Sequence, residues 1–340
     1  MAQSEKFSIA SRRYIGSKQS LTDWIFKNIP SKYRSGSFWD VFAGTASVGD
    51  SALHLGQYSR IILSDHLYSN EVIYQGFYGK GAFSGSKIRE FISEMNLVNP
   101  KDIPTNYFSK NFGNKYFDRK SALKIGFIRE EIESSSRGFN KREKSILLTS
   151  LIYSMDKVSN TVGHYEAFMR TNPHFKDFIY KEISPFKSAP VEIHRGDANE
   201  LVRQVKCDVA YIDPPYNSRQ YSRFYHVLET LVKWDKPTLE GVAMKPPTEN
   251  SSIYCKVGAR EAFEDLIQNL DAKFILVSYN NTYDSKSSSS KNRIQLDEIE
   301  EILSKKGKTK VLTKSYKPFN AGATSFDDHQ EILFLCETKK

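Results

Sequence analysis

The chain has 340 residues, more than one ordinary domain needs, so we expect one large core with an insertion or two domains. Hydrophobic residues make up 39% and charged residues 26%, a balance that supports a packed core and excludes wholesale disorder. The net charge of +9 favours a polyanionic partner, although many basic proteins bind no nucleic acid.

The three cysteines, Cys207, Cys255 and Cys336, are far apart and lack the paired spacing of metal ligands. This pattern argues against a disulfide scaffold and a zinc site, and it suits a reducing cytosol. Residues 1–10 lack the apolar run of a signal peptide, and no stretch approaches the length of a membrane span. We therefore expect a soluble cytoplasmic protein without a bound metal.

The first third of the chain has the pattern of a parallel β-sheet. A helix is predicted at 21–29, an apolar strand at 38–42 runs into a glycine turn, and a second helix follows at 47–55. A strand at 60–65 then ends on an acid, Asp65. Strand, glycine turn, helix, strand and acid in this order are typical of a βαβ unit.

The character of the sequence changes between about 70 and 185. Residues 101–145 hold 11 Lys/Arg and 6 Asp/Glu, a local net charge of +5 (11 − 6), with aromatic residues between the charges. A helix with a regular apolar face is predicted at 144–158. This composition suits a module that contacts DNA, with Lys115, Arg119 and Lys120 as candidates for phosphate contacts, but it also fits a solvated face.

The sheet pattern resumes after Pro185. Strands are predicted at 191–194, 208–212, 273–279 and 331–336, and helices at 224–234 and 297–306. We therefore expect a mainly parallel α/β core, formed by 1–69 and 186–340, that is interrupted by a mostly helical insertion at 70–185.

The sequence Asp-Pro-Pro-Tyr at 213–216 follows the most apolar predicted strand. Ligands of open α/β sheets bind at the carboxyl ends of strands. There, the Asp213 carboxylate and the Pro214 carbonyl can each accept a hydrogen from an exocyclic amino group, and Tyr216 can stack on a base. Taken alone, the tetrapeptide also fits a rigid turn with a capping carboxylate. Arg219, shortly after it, is a further candidate for a phosphate contact.

The glycine turn at 40–45 lies at a second ligand end of the predicted sheet. Gly44 allows close approach to the backbone, and Asp40 and Phe42 precede it. The spacing of Gly44 and Gly49 resembles a P-loop, but an acid stands where the lysine is needed, so phosphate binding is not expected. An acidic rim suits an adenosyl ligand, with Asp65 on its ribose hydroxyls, although Asp65 can equally cap the following segment.

Two further segments are candidates for cofactor contacts. Asp197 and Ala198 follow a predicted strand, where the acid can bind the amino edge of an adenine or form an Asx-type turn. Near the N-terminus, Lys18 can meet a carboxylate of the cofactor, and Tyr14 can pack against a sulfonium. The alternative there is a basic surface turn before a helix.

As a set, these motifs resemble the D12 class of DNA N6-adenine methyltransferases, the group with alpha motif order that includes the Dam-type enzymes. The similarity lies in Tyr-Ile-Gly-Ser-Lys at 14–18, Phe-Trp-Asp-Val-Phe-Ala-Gly at 38–44, Asp65, Gly-Asp at 196–197, Asp-Pro-Pro-Tyr at 213–216, Ser-Tyr-Asn at 278–280 and Glu-Ile-Leu-Phe at 331–334. The run that continues from 213–216 to Tyr221, with Tyr225, His226 and Glu229, resembles a subgroup associated with restriction systems.

The resemblance implies a Rossmann-like fold with seven strands and S-adenosylmethionine bound at Gly44 and Asp65. It implies target recognition by the insertion and direct methyl transfer to N6 of an adenine flipped out of double-stranded DNA. A cognate restriction endonuclease and a monomeric enzyme are further expectations. One departure is that Thr45-Ala46-Ser47 fills the span where the family often has a second glycine.

Two alternatives remain open from the sequence. N4-cytosine methylation uses the same amino chemistry, and Asp213 favours adenine because Ser often stands at that position in the cytosine enzymes. Methylation at cytosine C5 needs an activated cysteine, and none of the three lies in a convincing Pro-Cys loop. The other alternative is a DNA-binding protein with an inactive core.

Overall fold

The computed structural model describes residues 6–12, 16–161, 163–170, 175–281, 293–315 and 330–339. The chain divides into two compact units. One, here called the sheet unit, consists of Gly16–Leu67, Pro190–Tyr221 and Asn250–Lys340. The other, called the helical unit, consists of Met1–Ile15, Tyr68–Ala189 and Ser222–Glu249. The sequence predicts a catalytic core with a recognition insertion at 70–185. This assignment of functions to the two parts stays a prediction.

The sheet unit contains a seven-stranded sheet with the order β3-β2-β1-β4-β5-β7-β6. Its strands are β1 (Ser37–Asp40), β2 (Arg60–Asp65), β3 (Val191–Arg195), β4 (Val209–Ile212), β5 (Phe274–Asn280), β6 (Gly307–Ser315) and β7 (Gln330–Thr338). Strands β1 to β5 pair with one another in parallel, and β7 is antiparallel to both β5 and β6. The expected mainly parallel α/β fold with seven strands is therefore confirmed.

Twelve α-helices accompany the strands in the described ranges, together with short 3-10 turns. They are α1 (Thr22–Lys27), α2 (Ser47–His54), α3 (Tyr68–Tyr78), α4 (Gly85–Leu97), α5 (Tyr107–Phe112), α6 (Arg119–Glu133), α7 (Lys141–Asp156), α8 (Ala198–Leu201), α9 (Tyr221–Phe224), α10 (His226–Lys233), α11 (Ala259–Asn269) and α12 (Leu296–Lys306). No helix in the described part of the chain has the length and apolar character that a membrane span requires.

Alternate residues of each strand point to opposite faces of the sheet, and apolar residues are buried on both faces. On one face, Ile275 and Val277 of β5 join a core cluster with Phe263 of α11 and Leu303 of α12. On the other face, the ring of Phe38 in β1 lies 5.5 Å from the ring of Phe26 in α1. Burial on both faces explains why these strands read as continuous apolar runs in the sequence.

The elements predicted in the first third are confirmed, with small differences at their ends. β1 ends at Asp40 rather than at 42, because the chain turns there into a bend that contains two left-handed residues, Gly44 (φ 53°) and Ala46 (φ 57°). The edge strand β6 was not predicted. Its lysines and threonines alternate with few apolar residues, and α12 continues into it at Gly307 without a loop.

The helical unit is built around a close contact between α3 and α7. A Cβ atom placed on Gly76 would lie 2.1 Å from Oγ1 of Thr149, so only glycine fits there. Thr149 Oγ1 donates a hydrogen bond of 3.0 Å to the carbonyl of Val72. The buried carboxylate of Glu229 in α10 accepts hydrogen bonds from the backbone N–H groups of Tyr68 and Ser69, at 3.1 and 2.8 Å, where α3 begins.

Candidate active site

The carboxyl ends of the parallel strands place the predicted site residues at one edge of the sheet. Asp40, the last residue of β1, pairs with Tyr211 of β4, and Asp213 comes two residues after Tyr211. β2 and β3 run in the same direction, so Asp65 and Asp197 follow at the same edge. Most of the predicted cofactor-binding residues and the Asp-Pro-Pro-Tyr tetrapeptide therefore belong to one edge of the sheet unit.

The glycine turn after β1 is tied to the end of β2. The backbone N–H of Gly44 donates to Oδ2 of Asp65 at 2.9 Å, and the N–H of Leu67 donates to Oδ1 at 2.8 Å. Ala46 has a φ of 57°, the left-handed conformation that glycine adopts most easily. A glycine adopts this conformation without strain, and here an alanine adopts it.

Asp40 is buried and holds the first turn of α2. Its Oδ2 accepts a hydrogen bond of 2.9 Å from the backbone N–H of Gly49. Burial raises the pKa of Asp40 to about 8, against the effect of the Gly49 hydrogen bond and with a smaller contribution from Asp213 and Asp65. The structure thus gives Asp40 a helix-capping contact, while its predicted contact with the cofactor stays a prediction.

An aromatic and polar wall lies at the ends of β1 and β3. The ring of Phe42 makes an edge contact with Tyr254 at a centroid distance of 5.1 Å, and the Tyr254 hydroxyl donates to Oδ1 of Asn199 at 2.8 Å. Asp197 caps α8 by accepting from the N–H of Asn199 at 2.8 Å, which is the Asx-type alternative. Ala198 is buried in the core beneath this wall. The sequence did not indicate Tyr254, because it lies in an irregular segment without a recognisable pattern.

Asp213 belongs to a buried cluster of charges. The Lys18 Nζ lies 3.4 Å from Oδ1 of Asp213 and 2.7 Å from Oε1 of Glu331. The hydroxyl of Ser278 donates to the same Glu331 oxygen at 2.5 Å. Lys18 is 6% exposed and Glu331 is 3% exposed, so water screens these charges little. Asp213 Oδ1 is buried and makes no hydrogen bond within the described residues.

The charges of this cluster shift one another's titration. Burial raises the pKa of Asp213 to about 7, although Lys18 lowers it, and the negative charge of Glu331 raises it further. For Lys18, burial acts to lower the pKa, but Asp213 and Glu331 outweigh burial and hold that pKa well above its ordinary value. The lysine therefore stays charged, and Asp213 lies close to the point where it gains or loses a proton at neutral pH.

The Tyr216 ring is packed from two sides. It meets Tyr279 in an edge contact with a centroid distance of 5.6 Å, and the Lys18 Nζ lies 5.7 Å from its centroid. A Cβ placed on Gly16, whose φ is 82°, would lie 3.7 Å from the Tyr216 hydroxyl. Gly16 and Lys18 of the N-terminal motif thus lie beside the tetrapeptide, and Pro214 is buried within it. Tyr14 lies outside the described residues.

The predicted DNA-contacting residues occupy both units. In the helical unit, the half-buried Lys115 donates to the carbonyl of Asn111, and the exposed Arg119 and Lys120 begin α6. Arg219 is exposed and belongs to the sheet unit. Their predicted contacts with DNA stay predictions.

Sequence reasoning identified the strand that carries Glu331 but not its side chain as part of the site. The one available signal is a single acid directly before a run of five apolar residues, Ile332 to Cys336, all of which the structure buries. A charged residue in such a run is buried only when it is paired. The partner, Lys18, is more than 300 positions away, and only the folded chain brings the two together.

A mostly parallel seven-stranded sheet, an acid-tied glycine turn after β1 and Asp-Pro-Pro-Tyr after β4 define a Rossmann-like methyltransferase that acts on an amino group. The model of the family "D12 class N6 adenine-specific DNA methyltransferase" matches residues 14–302. The chain belongs to this family. The resemblance drawn from the motifs is thereby confirmed, and the family is adenine-specific rather than cytosine-specific.

The relatives that the chain resembles are modification enzymes. It is 32% identical to the type II methyltransferase M.CviAII of Paramecium bursaria Chlorella virus 1, over 95% of this chain and 97% of the relative. It is 27% identical to M.NlaIII of Neisseria lactamica, over 93% and 95%. It is 31% identical to the modification methylase LlaI of Lactococcus lactis subsp. lactis, over 92% of this chain but 52% of the relative. The chain thus spans about half of LlaI and almost all of the other two.

Proposed function

We propose that this chain transfers the methyl group of S-adenosylmethionine to N6 of an adenine that has been flipped out of double-stranded DNA. The observation that supports this proposal best is the placement of Asp213. Its Oδ1 is buried, makes no hydrogen bond within the described residues and lies 3.4 Å from the Lys18 ammonium. It stands at the carboxyl end of β4, the strand next to the one that leads into the Gly44 turn. A substrate amine held there can reach a methyl donor that is bound at the neighbouring strand end.

The residues along this edge fit an adenosyl sulfonium cofactor. Asp65 follows β2 and is suited to ribose hydroxyls, and the Phe42–Tyr254 wall beside Asp197 is suited to an adenine ring. Acids along the edge suit the positive charge of a sulfonium, which supplies an electrophilic methyl group when the cofactor is bound. Lys18 has three N–H donors, and its two carboxylate partners leave one for the carboxylate of a cofactor.

The tetrapeptide supplies the groups that hold the substrate amine. The Asp213 carboxylate accepts one hydrogen of the exocyclic amine, and the Pro214 carbonyl accepts the other, which turns the nitrogen lone pair towards the methyl donor. Formation of the N–CH₃ bond breaks the S–CH₃ bond and leaves a positive charge on N6. That nitrogen then loses a proton, and Asp213, whose pKa is raised to about 7, is suited to accept it.

Tyr216 provides the surface on which the flipped base stacks. Extruding a base from the duplex costs a few kcal/mol, and stacking on an aromatic ring returns roughly 1–3 kcal/mol. The contacts with Tyr279 and Lys18 hold the Tyr216 ring in place before a base arrives. A preformed ring loses little conformational entropy on binding.

We further propose that residues 70–185 recognise the target sequence, with Lys115, Arg119 and Lys120 on phosphates and Arg219 as an additional phosphate contact. Because the relatives are named type II methyltransferases and modification methylases, we infer that this enzyme protects DNA from a cognate restriction endonuclease. A monomer suffices for this task, since each strand of the duplex is modified separately.

The test compares Asp213→Ala with Asp271→Asn, a control on an exposed acid of the same unit whose ion partner is Lys206. DNA from cells that express each protein is sequenced by a method that detects modified bases. Wild type and Asp271→Asn should yield N6-methyladenine at a defined site, and Asp213→Ala none. Calorimetry should show that Asp213→Ala still binds S-adenosylmethionine and DNA. N4-methylcytosine in the wild-type sample, or full methylation by Asp213→Ala, would contradict the proposal.

A further inference from the structure

Three neighbouring strands deliver polar side chains to one point at the ligand edge of the sheet. Ile212 of β4 pairs with Val277 of β5, so Asp213 and Ser278 are the next residues along these two strands. Asn280 of β5 pairs with Glu331 of β7. Ser278 and Asn280 lie on the same face of β5, because side chains alternate along a strand. Ser278 and Glu331 are therefore diagonal neighbours on one face, and their hydrogen bond follows from the register.

Lys18, which is not part of a strand, contacts two of these side chains. Its ammonium lies between two carboxylates, 2.7 Å from Glu331 and 3.4 Å from Asp213, so the shorter contact is with the residue that the proposed chemistry does not use. A buried Glu331 without Lys18 would be an uncompensated charge, and a buried Lys18 without Glu331 would pair with Asp213 alone. The ion pair between Lys18 and Glu331 thus sets how strongly the Lys18 ammonium stabilises the ionised form of Asp213.

We propose that Glu331 is a positioning residue of the methyl-transfer site. It holds the Lys18 ammonium beside Asp213, so that the one positive charge of Lys18 is divided between the two carboxylates. This inference rests on the proposed function, in which Asp213 accepts a hydrogen from the substrate amine. With Asp213 ionised, the three side chains carry a net charge of −1, which complements the positive charge that develops on N6. With Glu331 neutral, the net charge is zero, and Lys18 competes with the amine for the Asp213 oxygen.

The other groups that face Asp213 are uncharged or mostly protonated at neutral pH, so the charges that act on Asp213 are mainly those of Lys18 and Glu331. Tyr211, on β4 itself, is neutral because burial raises the pKa of its hydroxyl well above the ordinary value. Asp40, at the end of β1, has a pKa of about 8 and is mostly protonated at neutral pH. Ser278 on β5 is uncharged. A change at Glu331 is therefore expected to act on Asp213 mainly through Lys18 and through its own charge.

The test measures kcat/KM for DNA as a function of pH in Glu331→Gln, which removes the charge and keeps the shape. Without the negative charge of Glu331, and with Lys18 paired to Asp213 alone, the pKa of Asp213 should fall. The acidic limb of the profile should therefore shift to lower pH by about one unit. The control is Glu337→Gln, at the exposed far end of the same strand, where the acid pairs with Lys32. That variant should keep the wild-type limb, and Glu331→Asp should restore most of it.

A double variant, Lys18→Met with Glu331→Met, keeps the inference testable if Glu331→Gln fails to fold. Replacing a buried ion pair by apolar residues is often neutral or stabilising. Asp213 then loses the cation, which affects it more than Glu331 does, so the acidic limb should move to higher pH, opposite to Glu331→Gln. Identical limbs in wild type and in these variants would overturn the positioning role. Absence of adenine methylation in the wild type would instead overturn the proposed function.

Discussion

The backbone N–H of Gly44 donates a hydrogen bond of 2.9 Å to the carboxylate of Asp65. The bond joins the turn after β1 to the end of β2, so an acid suited to ribose hydroxyls also fixes the turn beside which the cofactor is proposed to lie. We expect Asp65→Ala to weaken binding of S-adenosylmethionine at least tenfold, since the turn and the ribose both lose a partner. Calorimetry measures this affinity, and wild-type affinity in the variant would contradict the assignment.

Asp213→Asn should make the folded protein more stable at pH 8. Folding raises the pKa of Asp213 from 3.8 to about 7, so the folded state holds the proton more tightly than the unfolded chain does. The resulting destabilisation is largest above pH 7 and disappears as the pH falls towards 4. Asparagine removes it, which should raise the free energy of unfolding by roughly 2–4 kcal/mol at pH 8.

Urea unfolding at pH 8 and at pH 5.5 measures this difference, which should narrow at the lower pH. Asp271→Asn, on an exposed acid, serves as the control and should show no such change. If Asp213→Asn were less stable than wild type at pH 8, the ionised carboxylate would be favoured by its surroundings, contrary to the expected direction.

Gly76→Ala should destabilise the helical unit. The added methyl group would lie 2.1 Å from Thr149 Oγ1 and 2.6 Å from its Cβ, so α3 and α7 must move apart. Overpacking of this kind costs about 1–3 kcal/mol. The matched control is Gly85→Ala at the start of α4, where the nearest atom is the mobile end of Arg89 at 3.1 Å. Thermal unfolding should separate the two variants, and equal melting temperatures would contradict the close contact.

Thiol reagents should leave methylation intact. Cys207, Cys255 and Cys336 are all buried and free, and burial raises the pKa of Cys255 to about 12. Thiols of this kind are poor nucleophiles at neutral pH. Iodoacetamide at pH 7.5 should therefore label the native protein slowly and the denatured protein fully, without loss of activity in the native sample. Rapid inactivation that parallels labelling would indicate a catalytic cysteine and would contradict direct transfer.

Neutral substitutions at the start of α6 should weaken DNA binding through salt-dependent contacts. If Arg119 and Lys120 each neutralise one phosphate, the double change to Gln should lower the slope of log K against log salt by about 2. Lys206→Gln is the control, since this lysine is 83% exposed and lies before β4, away from its carboxyl end. Fluorescence anisotropy over a range of salt concentrations measures the slopes. Equal slopes in all three proteins would place the phosphate contacts elsewhere.

The sequence by itself determined the family, the class of fold and most of the polar residues that follow the strands at one edge of the sheet. Buried parallel strands read as apolar runs, and the acids that follow them stand out, as Asp65 and Asp213 do, because ligand-facing polar groups concentrate at strand ends. These signals are local in the chain, so they survive without the fold. The edge strand β6 gave no such signal, since one of its faces is solvated and its alternation is weak.

Only the tertiary structure decided which of these groups share their charges. Glu331 lies more than 300 residues from Lys18 in the sequence, and neither residue indicates the other until β7 pairs with β5. The capping contact of Asp197 was likewise an open alternative in the sequence, whereas the sequence did not indicate the capping contact of Asp40. Electrostatic coupling depends on distances of a few ångströms and on exclusion of water, and the fold sets both.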